Sequence, residues 1–238
     1  MAIAASVLAA GGCGSDSEPV VAVPEAEAET KREPILRLPE AGNVTVQVRD
    51  DRRVELYDSP NGKVIGKAGE ETEWGSPTVF AVQRTKGRWA GVPTALFENG
   101  RLAWVRLDPR RLRAGSVVAE IEVDLSDFNA KLIVAGEVKR SFTVAVGMPT
   151  APTPTGRFAV TDTFRGDLNP AYGCCAVALT ARQTRLPSGW FGGDRIAIHG
   201  TPGPVGGAIS SGCVRAHDRD VNELINTVPP GTPVTIKQ

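Results

Sequence analysis

A chain of 238 residues, 41% hydrophobic and 23% charged, is long enough for one large domain or two small ones, each able to bury a core. Its 27 basic and 27 acidic residues balance, so no overall field draws it to nucleic acid or to an anionic membrane surface. A polyanionic partner is not implied.

Residues 2–12 are apolar or small and run into Cys13-Gly14-Ser15-Asp16, which resembles the cleavage site of a bacterial lipoprotein signal. The run is shorter than the roughly 20 apolar residues that a membrane span needs. It lacks the basic start of a usual signal peptide, and Ala10 stands where Leu is common. Residues 1–13 are read as a lipoprotein-type signal segment with lipidation at Cys13; the competing reading is a frayed terminus with a stray cysteine. The preferred reading places the protein outside the cytoplasm, in the cell envelope, touching membrane only through an N-terminal lipid anchor. Residues 14–42 are acidic and proline-rich (Glu18, Glu25, Glu27, Glu29; Pro19, Pro24, Pro34, Pro39) and lack aromatics, so they are expected to be a disordered tether.

Residues 43–113 carry short β-like runs separated by turns: 44–49, 54–57 before Asp58-Ser-Pro-Asn-Gly62, 78–82 before Lys86-Gly87, and 100–106 after Asn99. This spacing predicts a small barrel or sandwich. The Leu56-to-Gly62 stretch and the surroundings of Trp89 and Trp104 are similar to bacterial SH3-like domains. Trp74, Trp89 and Trp104 are assigned to its core rather than to a ligand-binding face. Asp108-Pro-Arg-Arg-Leu-Arg113 reads as a basic connector.

A second domain, residues 116–238, opens with an alternating run to Asp124 and continues with strand-like runs at 131–135, 138–146, 157–161, 176–180, 195–198 and 233–236. Asp220 to Val228 reads as its one good helix, with Asp220 as N-cap, Glu223 three residues on, and Val221, Leu224, Ile225 and Val228 on one face. The Pro-rich stretch from Val146 to Phe158 is expected to be a rigid turn without chemistry.

The chemistry concentrates at residues 195–215. His199 ends a strand, a glycine-rich loop (Gly200 to Ile209) follows, and Ser210-Ser211-Gly212-Cys213 closes it. A free thiol, with a pKa of about 8.5, is mostly protonated at neutral pH and needs an adjacent base to become a nucleophile. A loop that folds back supplies one by setting Cys213 beside His199. His217, the other histidine, sits in a polar run where a solvated helix start is expected. Cys174 and Cys175 are adjacent, and a disulfide between neighbours is uncommon, so they are read as two small residues at a strand start. Zinc is weighed because Cys174, Cys175, His199, Cys213 and His217 are all possible ligands. Paired spacing occurs only as Cys213-x-x-x-His217, so neither metal nor cofactor is expected.

The motifs His199-Gly200-Thr201 and Ser210-Ser211-Gly212-Cys213-Val214-Arg215 resemble the signature of the YkuD-like L,D-transpeptidases, with Ser211 where many members carry a second histidine. Val146 to Phe158 resembles another of the family's stretches. The resemblance implies a mainly β fold, here a small SH3-like barrel followed by a YkuD-like β-sandwich with one short C-terminal helix. It implies a cysteine acyltransferase acting on peptidoglycan tetrapeptide stems, releasing D-Ala and forming 3-3 cross-links. In that reading the Gly200 carbonyl orients His199. The backbone N–H groups of Ser211, Gly212 and Cys213 are candidates for the oxyanion, and Ser210 is grouped with them. Arg215 either binds a substrate carboxylate or supports the loop. Carbapenem-type β-lactams would acylate Cys213, and the protein would be a monomer. Hydrolysis by an L,D-carboxypeptidase and non-catalytic wall binding stand as alternatives.

Overall fold

The alternating runs of the first half become eight short strands: β1 (Asn43–Val48), β2 (Val54–Tyr57), β3 (Val64–Ala68), β4 (Val79–Ala81), β5 (Arg84–Lys86), β6 (Trp89–Pro93), β7 (Leu102–Arg106) and β8 (Leu112–Val117). This computed structural model describes residues 34–186, 188–189 and 193–238. Cys13 and the tether as far as residue 33 lie outside the described residues. The end of the expected tether does not run free, because Leu36 donates its N–H to the Leu107 carbonyl at 2.9 Å, and Leu36 and Leu38 pack on the first module's core.

That module is two sheets, β4-β1-β8 and β3-β2-β7-β6-β5, closed over Val46, Val48, Leu56, Val92, Val105 and Leu112. Each such aliphatic side chain contributes roughly 1.5–3 kcal/mol on leaving water. The expected connector only partly exists: Asp108 pairs with Arg110 in a tight turn, but residues 112–117 are β8, in register with all of β1. Leu112 alone among the last connector residues points inward, and the flanking arginines hid the strand. Trp89 lies in the core, edge-on to Tyr57 at 4.9 Å. Trp74 does not; it is 44% exposed, and the guanidinium of Arg195 lies over its ring.

The second half contributes β9 (Ala119–Asp124), β10 (Asn129–Val134), β11 (Glu137–Thr143), β12 (Ala145–Gly147), β13 (Gly156–Arg165), β14 (Cys175–Arg182), β15 (Arg195–Thr201), β16 (Gly207–Ser210), β17 (Val214–His217) and β18 (Pro233–Lys237). They form one ten-stranded sheet in the order β11-β10-β9-β18-β13-β14-β15-β17-β12-β16. β13 turns its corner: residues 156–159 pair with β18, and residues 160–165 pair with β14. The sheet therefore folds over itself, and Ile121 and Leu132 from one end share a core with Val144, Ile198 and Val214 from the other. The fold is mainly β, a sandwich with a single α-helix among the described residues.

That helix, α1 (Asp218–Thr227), closes the core with Val221, Leu224 and, just past its end, Val228. It starts two residues before the expected cap. His217 is the N-cap, without a side-chain cap bond, while Asp220 is buried in the first turn and accepts from Arg140 Nε at 2.7 Å. A buried ion pair took the residue that local pattern assigned to capping. No helix among the described residues is long and apolar enough to cross a membrane.

Candidate active site

Side chains alternate across a strand, and in β15 this sends Ile196 and Ile198 into the core and leaves Arg195, Ala197 and His199 on the other face. β17 runs parallel beside it with His199 opposite Arg215. Val214 faces the core, so Cys213 and Arg215, either side of it, share the face of His199. His199, Cys213, Arg215, Ser211 and Tyr172 line one cavity.

His199 is buried, and its Nδ1 lies 2.8 Å from the Gly200 carbonyl. That acceptor fixes the proton on Nδ1 and leaves Nε2 with its lone pair. Burial, reinforced by the charge of Arg215, holds the imidazole below the usual histidine range, and the Gly200 carbonyl only partly offsets it. Cys213 is a free thiol whose pKa burial pushes up, against the Ala197 backbone and the Arg215 charge, which pull it down. Both shifts favour the uncharged forms of the two groups.

The loop that carries Cys213 is tied down on its inner side. Gly212 has φ +119°, and a Cβ there would collide with Gln183 Nε2, so the turn requires glycine. Ser210 is fully buried, donates its hydroxyl to the Cys213 carbonyl at 2.5 Å and accepts from Gly212 N–H at 3.1 Å. Ser210 is thus a strut inside the loop, and the Gly212 N–H has a partner within it. Thr153, in the turn expected to be rigid and without chemistry, accepts from Gly147 N–H at 2.8 Å and donates to the Gly212 carbonyl at 2.7 Å. Gln183 donates to the carbonyls of Ser211 and Pro152, each at 3.1 Å. Of the two roles left open for Arg215, loop support is not what its Nε–H does, since that group is buried with no hydrogen-bond partner among the described residues.

Cys174 and Cys175 are joined in a disulfide, correcting their reading as two unlinked small residues. The pair follows the 3-10 turn Pro170–Tyr172, and the Cys174 N–H donates to Asp218 Oδ1 at 3.2 Å. His217 is exposed. No group of three or more His, Cys, Asp or Glu side chains converges as a metal site among the described residues.

The sequence model of the YkuD family, the L,D-transpeptidase catalytic domain, matches residues 119–236, which contain all of these cavity groups. The chain is 32% identical over 120 residues to the YkuD protein of Bacillus subtilis, across 50% of this chain and 65% of that protein. It is 34% identical over 114 residues to YqjB of the same organism, across 44% of this chain and 63% of that protein. The C-terminal half of the chain belongs to the YkuD family. The chain spans somewhat less than two thirds of the length of these relatives. Among solved structures, L,D-transpeptidase 3 from Mycobacterium tuberculosis is similar at 17% identity and TM-score 0.43, over 58% of this chain and 74% of that one.

Around the YkuD motif, sequence reasoning missed Tyr172, whose ring meets the His199 imidazole edge to face. Burial, and secondarily the nearby Cys213, raise its hydroxyl's pKa. It also missed Thr153, Gln183 and Arg195. Tyr172 was within reach of inspection, since Asn169-Pro170-Ala171-Tyr172-Gly173 is a turn with one aromatic; nothing local marks the other three. A thiol, an oriented imidazole and a cationic side chain facing one cavity form an arrangement suited to acyl transfer.

Proposed function

We propose that this protein is a peptidoglycan L,D-transpeptidase working through a Cys213 thioester. The observation that carries the reading is the free Cys213 thiol on the same strand face as His199, whose Nδ1 is committed to the Gly200 carbonyl. Nε2 is thereby left as the base. As the thiol attacks the carbonyl that precedes the terminal D-Ala of a tetrapeptide stem, its proton passes to Nε2. The C–N bond then breaks, the proton goes to the departing amine, and D-Ala leaves. A side-chain amine of a second stem attacks the thioester, forming the 3-3 cross-link and restoring the thiol.

Because Gly212 N–H is taken by Ser210, we assign the developing oxyanion to the N–H groups of Cys213 and Ser211. Arg215, with its unpartnered Nε–H, is assigned to a substrate carboxylate. The first β module is assigned as SH3-like and the protein as a monomer anchored by lipid at Cys13. Loss of membrane association in Cys13→Ser checks the anchor. Incubating the pure protein with tetrapeptide stems and following D-Ala and dimer formation tests the central reading. Release of D-Ala with dimers supports it, release without dimers makes the protein an L,D-carboxypeptidase, and no release leaves a wall-binding role.

A further inference from the structure

The first β module reaches the surroundings of Cys213 through two sets of side chains. β15 begins at Arg195, next to an irregularity in its ladder with β14: Arg182 pairs with Arg195 but Ala178 with Ala197, so four positions on β14 are set against two on β15. Ladder bonds alone do not hold the backbone where extra residues interrupt them. Side chains do so here. Arg195 donates from Nε to the Leu179 carbonyl at 3.0 Å and from Nη2 to Thr161 Oγ1 at 2.7 Å, both within the ten-stranded sheet. Its third direction belongs to the other module: Glu73 Oε1 accepts at 2.5 Å, and the Trp74 ring lies under the guanidinium with its centroid 4.7 Å away. Trp74 is itself braced edge-on against Phe164 at 5.3 Å.

The backbone so clamped is the wall of the thiol. The Arg195 carbonyl lies 3.9 Å from Cys213 Sγ as its acceptor. A second route runs through Asn99, which donates to the Arg182 carbonyl at 2.6 Å and accepts from Arg182 N–H at 2.8 Å. Gln183, the next residue, holds the Ser211 carbonyl. A planar guanidinium bonded in three directions has a fixed position, which a lysine cannot reproduce.

We propose that the first β module is a positioning element of the active site, in which Glu73 and Trp74 act through Arg195, and Asn99 through Arg182, to hold the backbone wall on which the Cys213 thiol rests. The proposal takes Cys213 as the nucleophile, as above, and makes Arg195 a positioning residue outside the YkuD motif. Releasing the clamp lets the wall move and admits water to the thiol.

The test follows alkylation of Cys213 by iodoacetamide against pH, read at the Cys213 peptide by mass spectrometry, in the full chain and in a Glu73→Gln/Trp74→Ala variant. The variant's profile is expected to move to lower pH by about one unit, giving about tenfold faster alkylation below the midpoint. An unchanged midpoint in a variant with native circular dichroism and melting overturns the proposal. Should the double variant not fold, Arg195→Lys carries the same measurement: it is expected to shift the profile likewise, and a wild-type profile there is equally fatal. Alkylation needs no stem peptide, so the result stands apart from the fate of the transpeptidase reading.

Discussion

The ring of Tyr172 meets the imidazole of His199 edge to face, with centroids 4.8 Å apart and planes at 66°. A contact of this kind contributes about 0.5–1.5 kcal/mol beyond simple burial, and on a catalytic base it limits rotation about the Cα–Cβ axis. Tyr172→Ala is therefore expected to lower kcat by about twofold to thirteenfold, the rate equivalent of that energy. Tyr172→Phe keeps the ring and is expected to stay near wild type. A steep loss in the phenylalanine variant would instead give the hydroxyl a chemical task.

Cys213→Ala is expected to abolish D-Ala release while leaving the melting temperature within a few degrees, since the change removes one sulfur from a loop. His199→Ala should lose about 10²–10⁴-fold, the usual contribution of a positioned base. With a carbapenem, intact-protein mass spectrometry should show a single adduct, absent from Cys213→Ala. An adduct that survives the substitution would place the reactive group elsewhere.

The pH dependence follows from His199. Burial lowers its pKa below the ordinary value of about 6.5, so the neutral base persists to lower pH than a free histidine would. The acid limb of kcat/KM should accordingly lie below pH 6.5. Stability moves with the same group. Between the two pKa values the unfolded chain binds a proton that the folded one does not, so stability rises with pH there. On acidification it starts to fall as pH drops through about 6.5 and stops falling below the lowered folded value. His199→Gln should flatten that part of the curve of melting temperature against pH.

Thr153→Val removes a hydroxyl that serves Gly147 N–H and the Gly212 carbonyl together, and both backbone groups stay buried. Leaving them unpaired costs about 1–3 kcal/mol each at most, read as a lower urea midpoint at unchanged m-value. Activity should fall further than stability, because the released loop carries Cys213. Equal activity in a destabilised Thr153→Val protein would show that the strut supports the fold alone.

Labelling without reductant should modify Cys213 and leave Cys174 and Cys175 untouched, and both should label after reduction. Neither sulfur lines the cavity of His199 and Cys213, so the Cys174→Ser/Cys175→Ser protein is expected to retain most activity. Labelling of all three before reduction would refute the bond.

The residues alone determined the β character of both halves and marked Cys213 and His199 as the candidate nucleophile and base. Alternation at 119–124 and 195–198 is a local signal, and the two motifs around His199 and Cys213 are contiguous in sequence. They also placed the apolar face of α1, though not its cap, because Asp220 is claimed by Arg140, 80 residues away. The arginines around Leu112 (Arg110, Arg111 and Arg113) mask strand β8 in the sequence. Tertiary structure decided how the thiol is held. Thr153 reaches Gly212 across 59 residues, and Glu73 reaches Arg195 across 122. Such contacts depend on the order of strands and on the turn of β13 from one layer to the other, and periodicity along the chain encodes neither. A side chain's preference for strand or turn is set by its neighbours in sequence, whereas its partner across a sheet is set by which distant strand lies alongside.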